Sequence, residues 1–168
     1  DMKGDGAYIG TTLDFTDYWV ALQDKTPELQ YFNDSDPLPN SRVVSEGNGT
    51  KKSPWLIQSA EDLAKLANVA KSYGFAGKHF KVTKNITVVE GDTVDAVKNN
   101  ATTSWTPIGS KSLPFAGTFD GNGKTISGIY YKGNGTYIGL FGALSNDATV
   151  KGLTLATSYF EYTGASST

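Results

Sequence analysis

TISGIYY at residues 125–131 and TVKGLTL at residues 149–155 share one pattern at a constant offset of 24 positions. Ile126 matches Val150, Ile129 matches Leu153, Tyr131 matches Leu155, and Gly128 matches Gly152. A looser copy with one extra residue, VTKNITV, stands at 82–88, and YIGLFG at 137–142 is another short apolar run. Brief apolar runs between polar turns, repeating about every 20–25 residues, are the signature of a β-solenoid. In such a fold each coil buries its inward residues only against the coils above and below. The apolar spacing suits two strands meeting at a sharp bend at Gly128 or Gly152, where a missing side chain lets the backbone turn. An antiparallel sandwich would also give short strands and turns, but the shared offset favours the solenoid.

Just upstream, GTFDGNGKT at 117–125 has the look of a phosphate loop. It fails on spacing, because Gly117 and Gly123 are separated by five residues and Thr118 stands where the first glycine belongs. It fails again on the next segment: a phosphate loop opens into a helix, whereas residues 125–131 are β-branched and aromatic. A calcium loop starting at Asp120 would place Lys124 at its fifth position and Tyr131 at its twelfth, where an oxygen ligand and a bidentate glutamate are needed. Asp120-Gly-Asn-Gly is therefore turn chemistry.

One segment reads as a helix. Ser59-Ala-Glu-Asp62 resembles a capping box, with acidic residues in the first turn. Leu63, Leu66, Ala67, Ala70 and Tyr73 form one stripe, and Gly74 ends it. The helix precedes the first coils, so its apolar face is expected to cover one end of the stack. The carboxyl-terminal TSYFEYT at 157–163 is strand-like and carries no such cover.

The 168 residues suffice for one well-cored domain, with room for an appendage. Nineteen glycines and no cysteine imply many turns and no disulfide or thiolate chemistry. A net charge of −2, with Arg42 the single arginine, gives no basic stripe for nucleic acid. No apolar run is long enough to span a bilayer as a helix. Asp1 is not a natural translation start, so a trimmed or processed chain is expected. Asn-x-Ser/Thr occurs at Asn33, Asn48, Asn85, Asn100 and Asn134, more often than the composition would produce by chance. Such sequons fit a secreted, surface-exposed protein and are candidate N-glycosylation sites.

The ordered set GNGTKKSPWLI (47–57), the Ala-Glu-Asp-Leu helix, FAGKHFKVT (75–83), WTPIG (105–109), FAGTFDGNGKTISG (115–128) and GLFG (139–142) resembles right-handed β-helix segments with GLUG motifs. These occur in bacterial and archaeal surface and adhesin-like proteins and in the non-catalytic part of immunoglobulin-A-cleaving proteases. The likeness covers residues 46–156 and carries structural glycines and core apolars, so it implies a fold rather than a chemistry. The expectation is an all-β chain: a right-handed β-helix (solenoid) with one capping α-helix near residues 59–73. Residues 46–168 would form that module. Residues 1–45, with LDFTDYW (13–19), PELQYF (27–32) and a polar, proline-bearing linker, resemble the end of a preceding module. Alternatively they are an assembly strand, with Phe15, Tyr18 and Trp19, that completes the open end of the next copy. A head-to-tail contact of that kind makes filaments unless the rotation closes.

No active site stands out. A glycosidase needs two carboxylates about 5–10 Å apart, yet Leu144 and Ala96 lie 24 positions either side of Asp120. Glu90-Gly-Asp92-Thr-Val-Asp95 and Asn33-Asp34-Ser-Asp36 have oxygen ligands for calcium, although acidic loops are usually just solvated. His79 has no cysteine or second histidine to share a metal, and a surface or edge place is expected for it. Trp105, Tyr130 and Tyr137 are candidate contacts for a sugar or protein, while Tyr131 is expected to point inward. The sequence thus reads as a non-catalytic, extracellular structural or adhesive module without a cofactor. Its expected partners are other copies, neighbouring modules of a longer surface protein, or cell-surface glycans, with no nucleic acid. The alternatives are a carbohydrate-binding surface and a polysaccharide-degrading enzyme.

Overall fold

A computed structural model describes residues 44 and 46–164, and the backbone of 19–20 and 28–29. The chain divides into two compact units, Asp1–Asn40 and Ser41–Thr168. In the first, β1 (Trp19–Val20) and β2 (Glu28–Leu29) pair antiparallel. Phe15, Tyr18, Asn33, Arg42 and the acidic stretch 33–36 lie outside the described residues.

The second unit is organised by parallel pairing. β3 (Trp55–Ile57), β4 (His79–Val82), β5 (Ile86–Thr87), β6 (Thr118–Ser127) and β8 (Thr149–Ala156) form one sheet. The ten-residue β6 is its centre: β4 and β5 pair with successive parts of it, and β8 runs along most of its length. β7 (Tyr130–Gly133) and β9 (Tyr159–Tyr162) make a separate parallel pair. Single parallel bridges join Ile108 to Phe141 and Phe115 to Leu144.

Side chains in register form the core. Trp55 faces Phe80 and Phe80 faces Phe119, all fully buried; Ile57 lies over Val82, and Ile86 over Ile126. Phe75 and Phe115 join the aromatic group, with the Phe75 and Phe80 rings edge-to-face at 5.1 Å. Each such side chain contributes about 1.5–3 kcal/mol by burial, and an aromatic pair roughly 0.5–1.5 kcal/mol more. That packing offsets the cost of Phe75's left-handed backbone, φ 62°.

Two helices accompany the sheets. α1 (Ala60–Val69) starts where expected: Asp62 N donates to Ser59 Oγ at 3.1 Å, and Leu63, Leu66, Ala67 and Ala70 are buried. α2 (Val94–Asn100) is capped in the same way by Thr93, whose Oγ1 accepts from Ala96 N at 3.1 Å.

The all-β, right-handed β-helix expectation is therefore corrected. The described residues hold mixed sheets with parallel strands, an antiparallel pair and two helices, without a closed solenoid or barrel. α2 takes only the last two residues of the acidic stretch 90–95 and leaves 90–93 as loop; Thr93 caps it and Val97 anchors it in the core. The constant 24-residue offset is also overturned. Phe119 faces Val150, 31 positions on, and Ile126 faces Leu155, 29 positions on. The mismatch arises at Asp120–Lys124, where Gly121-Asn122-Gly123 bulges opposite the single Gly152. Asp120 Oδ1 accepts from Asn122 N at 2.8 Å, so the turn chemistry holds, but inside a strand. Gly128 and Gly152 both have positive φ, 73° and 60°, and yet sit at different bends. At Gly128 a Cβ would meet Val89 O at 2.1 Å, which leaves room for no other residue.

Candidate functional site

The feature that sets β8 apart is exposure on its inward side. Its register places Val150 next to Phe119 and Leu155 next to Ile126, and the isolated bridge places Leu144 next to Phe115. Phe119, Ile126 and Phe115 have no exposure, whereas Val150, Leu155 and Leu144 keep 36%, 42% and 48%. These three residues continue the core rows but are covered from one side only. Among the described residues no strand pairs with the far edge of β8 or of β9.

The opposite end differs. Leu56 N donates to Glu46 O at 3.0 Å, and a Cβ on Gly49 would lie 3.0 Å from the Trp55 ring. Trp55 and Ile57 are accordingly fully buried although they belong to the first strand of the sheet. Free edges are usually guarded by charge, Lys above all. The lysine of β8, Lys151, instead turns to Asp120 of its own sheet, 3.4 Å away. Asp120 also pairs in register with Lys81, so its true neighbours are two lysines rather than the residues 24 positions away.

On β9, Tyr159 Oη donates to Glu161, and Lys132 Nζ lies 3.2 Å from the same carboxylate. The Tyr159 hydrogen bond, then the Lys132 contact, hold Glu161 below the usual glutamate range. The Lys98 ammonium sits 5.0 Å over the Tyr159 ring, and Tyr159 raises its pKa.

A cleft of about 750 Å³ opens beside α1, with Val88–Glu90 and residues 100–106 as its other walls. It brings Trp105 and Tyr130 together. Trp105 is only 8% exposed: its Nε1 donates to Leu140 O at 3.2 Å and its backbone N to Tyr130 O at 2.6 Å. Trp105 is thus a pillar of the wall rather than a free stacking platform. Tyr130 stacks on Tyr159 at 5.6 Å with 11° between planes. Tyr137, 42% exposed, does not line the cleft. Tyr131 is half-buried, and its Oη accepts from Gly135 N at 3.0 Å.

His79 is half-buried at the start of β4, between β3 and β6, and not on a sheet edge. Among the described residues no three of His, Cys, Asp and Glu converge as metal ligands. The sequons differ in what their amides do. Asn100 Nδ2, the atom a glycan would take, donates to Glu90 O at 2.7 Å. Asn85 uses only Oδ1, accepting from Thr125 N at 3.0 Å, and Asn134 is exposed. Asn48 Oδ1 accepts from the Thr50 hydroxyl at 2.8 Å. No helix among the described residues is long and apolar enough to cross a membrane.

The chain is 35% identical over 127 residues to a protein of Evansella cellulosilytica named "Putative Gly-rich membrane protein". It is 31% identical over 115 residues to Halomucin of Haloquadratum walsbyi. The matches cover 75% and 67% of this chain but only 14% and 1% of those proteins, so the chain corresponds to a small part of each. No family model matches the chain, and no solved structure does.

Proposed function

We propose that this chain is a non-catalytic structural or adhesive module of the cell surface or extracellular space, completed at its β8 end by a further chain segment. The observation that carries the reading is the contrast within single core rows: Phe115, Phe119 and Ile126 are buried, and Leu144, Val150 and Leu155 next to them are not. An apolar row at a free strand edge favours strand addition, in which main-chain hydrogen bonds supply affinity and side-chain pockets supply register. The names of the two relatives, a membrane protein and a halomucin, support a surface or extracellular setting. So does the likeness of the motif order to surface proteins carrying GLUG motifs.

The occupant in this reading is residues 1–45 of a second copy, whose LDFTDYW stretch contains Phe15, Tyr18 and Trp19. The contact is heterologous, so it propagates head to tail. Size exclusion coupled to light scattering tests it on the whole chain and on a chain lacking residues 1–45. The whole chain is expected to form concentration-dependent oligomers and the shortened chain to stay monomeric. Two monomers would rule out completion by another copy.

A further inference from the structure

We propose that the cleft between α1 and residues 100–106 binds a short, uncharged oligosaccharide. Binding there does not depend on how the β8 end is completed.

The cleft volume, about 750 Å³, lies within the roughly 300–1,000 Å³ typical of small-ligand sites. The floor is apolar: Ala64 and Ala67 of α1, Val88 and Val89, and the accessible parts of Trp105 and Tyr130. This floor is held rigidly. Trp105 is fixed by its two hydrogen bonds, and Tyr130 is braced from behind by Tyr159. Side chains already fixed in this way lose little conformational entropy when a ligand settles against them.

The rim has a different chemistry. Asn68 of α1, Lys71 just past its end, Thr102 and Thr103 all line the cleft, and all four are exposed. None of these side chains hydrogen-bonds or ion-pairs with another described residue, unlike Asn100 and Ser104, which are committed to Glu90 O and Lys132 O. Amides and hydroxyls each both donate and accept. That mixture suits neighbouring sugar hydroxyls, which also do both, over a floor suited to the C–H face of the ring. A phosphate or sulfate would want several cations or converging backbone N–H groups, yet Lys71 is the one cation in the lining, which also holds the carboxylate of Glu90. A purely apolar ligand would strip water from the rim without replacing its hydrogen bonds.

The test is saturation-transfer and ¹H–¹⁵N NMR on the whole chain at dilute, monomeric concentration. Cellotetraose, chitotetraose and maltotetraose serve as separate probes, with inorganic phosphate as the anionic comparison. At least one saccharide is expected to receive saturation and to shift the Trp105 indole N–H. Asn68→Ala and Thr102→Ala, both at exposed positions, are each expected to weaken binding about two- to tenfold, the scale of one hydrogen bond. Tyr137→Ala, outside the cleft, should leave binding unchanged. Three results would each overturn the proposal: no shift with any saccharide, phosphate binding more tightly than all three, or binding insensitive to both cleft variants. Because the measurement is made on monomers, a failure of head-to-tail assembly leaves its outcome readable.

Discussion

Truncating Ile126 and Leu155 to alanine, one at a time, probes the same core row in adjacent strands. Each substitution removes three carbon groups, worth about 2.4 kcal/mol of transfer free energy if fully buried, at roughly 0.8 kcal/mol each. Ile126 has no exposure, so its truncation also leaves a cavity, and the total cost should reach about 3–5 kcal/mol. Leu155 keeps 42% exposure, so little more than half of the transfer term is at stake and water fills the gap. Its cost should be about 1.4 kcal/mol. Urea unfolding of dilute protein, followed by tryptophan fluorescence, reads both through the midpoint at unchanged m-value. Equal losses would refute the reasoning, since they would mean that Leu155 is as enclosed as Ile126. In concentrated protein the Leu155→Ala loss should grow, because association then covers that side chain.

Gly128→Ala forces an unfavourable φ and drives a Cβ to 2.1 Å from Val89 O, whereas Gly123→Ala, also at positive φ, meets nothing within 4 Å. Urea unfolding should show about 1–2 kcal/mol lost at Gly123, the left-handed cost alone, and clearly more at Gly128. The depressed pKa of Glu161 means that its contacts stabilise the fold above the unfolded-state pKa, and that this contribution is lost as pH falls through the lower folded value. A carboxyl ¹³C titration should place Glu161 below an ordinary glutamate, and Tyr159→Phe should move it back up; no upward movement would assign the shift to another group.

Local chemistry was legible in the sequence and register was not. Ser59, the acidic first turn and the Leu63–Leu66–Ala67 stripe announce α1, because capping and amphipathicity are encoded within a few residues. Gly128 and Gly152 were legible as bends, since a left-handed backbone favours glycine wherever it occurs. The same generality hid their pairing. Two bends with one chemistry produce an alignment at 24, while the strands pair at 29 and 31 around the bulge at Gly121–Gly123. α2 was not read from the sequence because seven residues with one buried side chain, Val97, show no stripe; the Thr93 cap, Asp95 in the first turn and Lys98 in the last were the available signs. Trp105, in a stretch of Ser, Thr and Pro, reads as a surface aromatic. The long-range bond from its indole to Leu140 O is invisible at that separation. The cleft itself gathers Asn68, Thr102 and Tyr130 from distant segments, and no local pattern joins them.

Hydrogen exchange on the backbone amides of β8 tests the central claim most directly. Alternate amides of a parallel strand point away from its partner, and along β8 no described strand receives them. In dilute protein those amides of Thr149–Ala156 should exchange fast while their β6-facing neighbours are protected, and protection should extend to all of them as concentration rises. Full protection at every concentration would mean the edge is already paired within the chain. Fast exchange that persists at high concentration would mean that no second copy completes it.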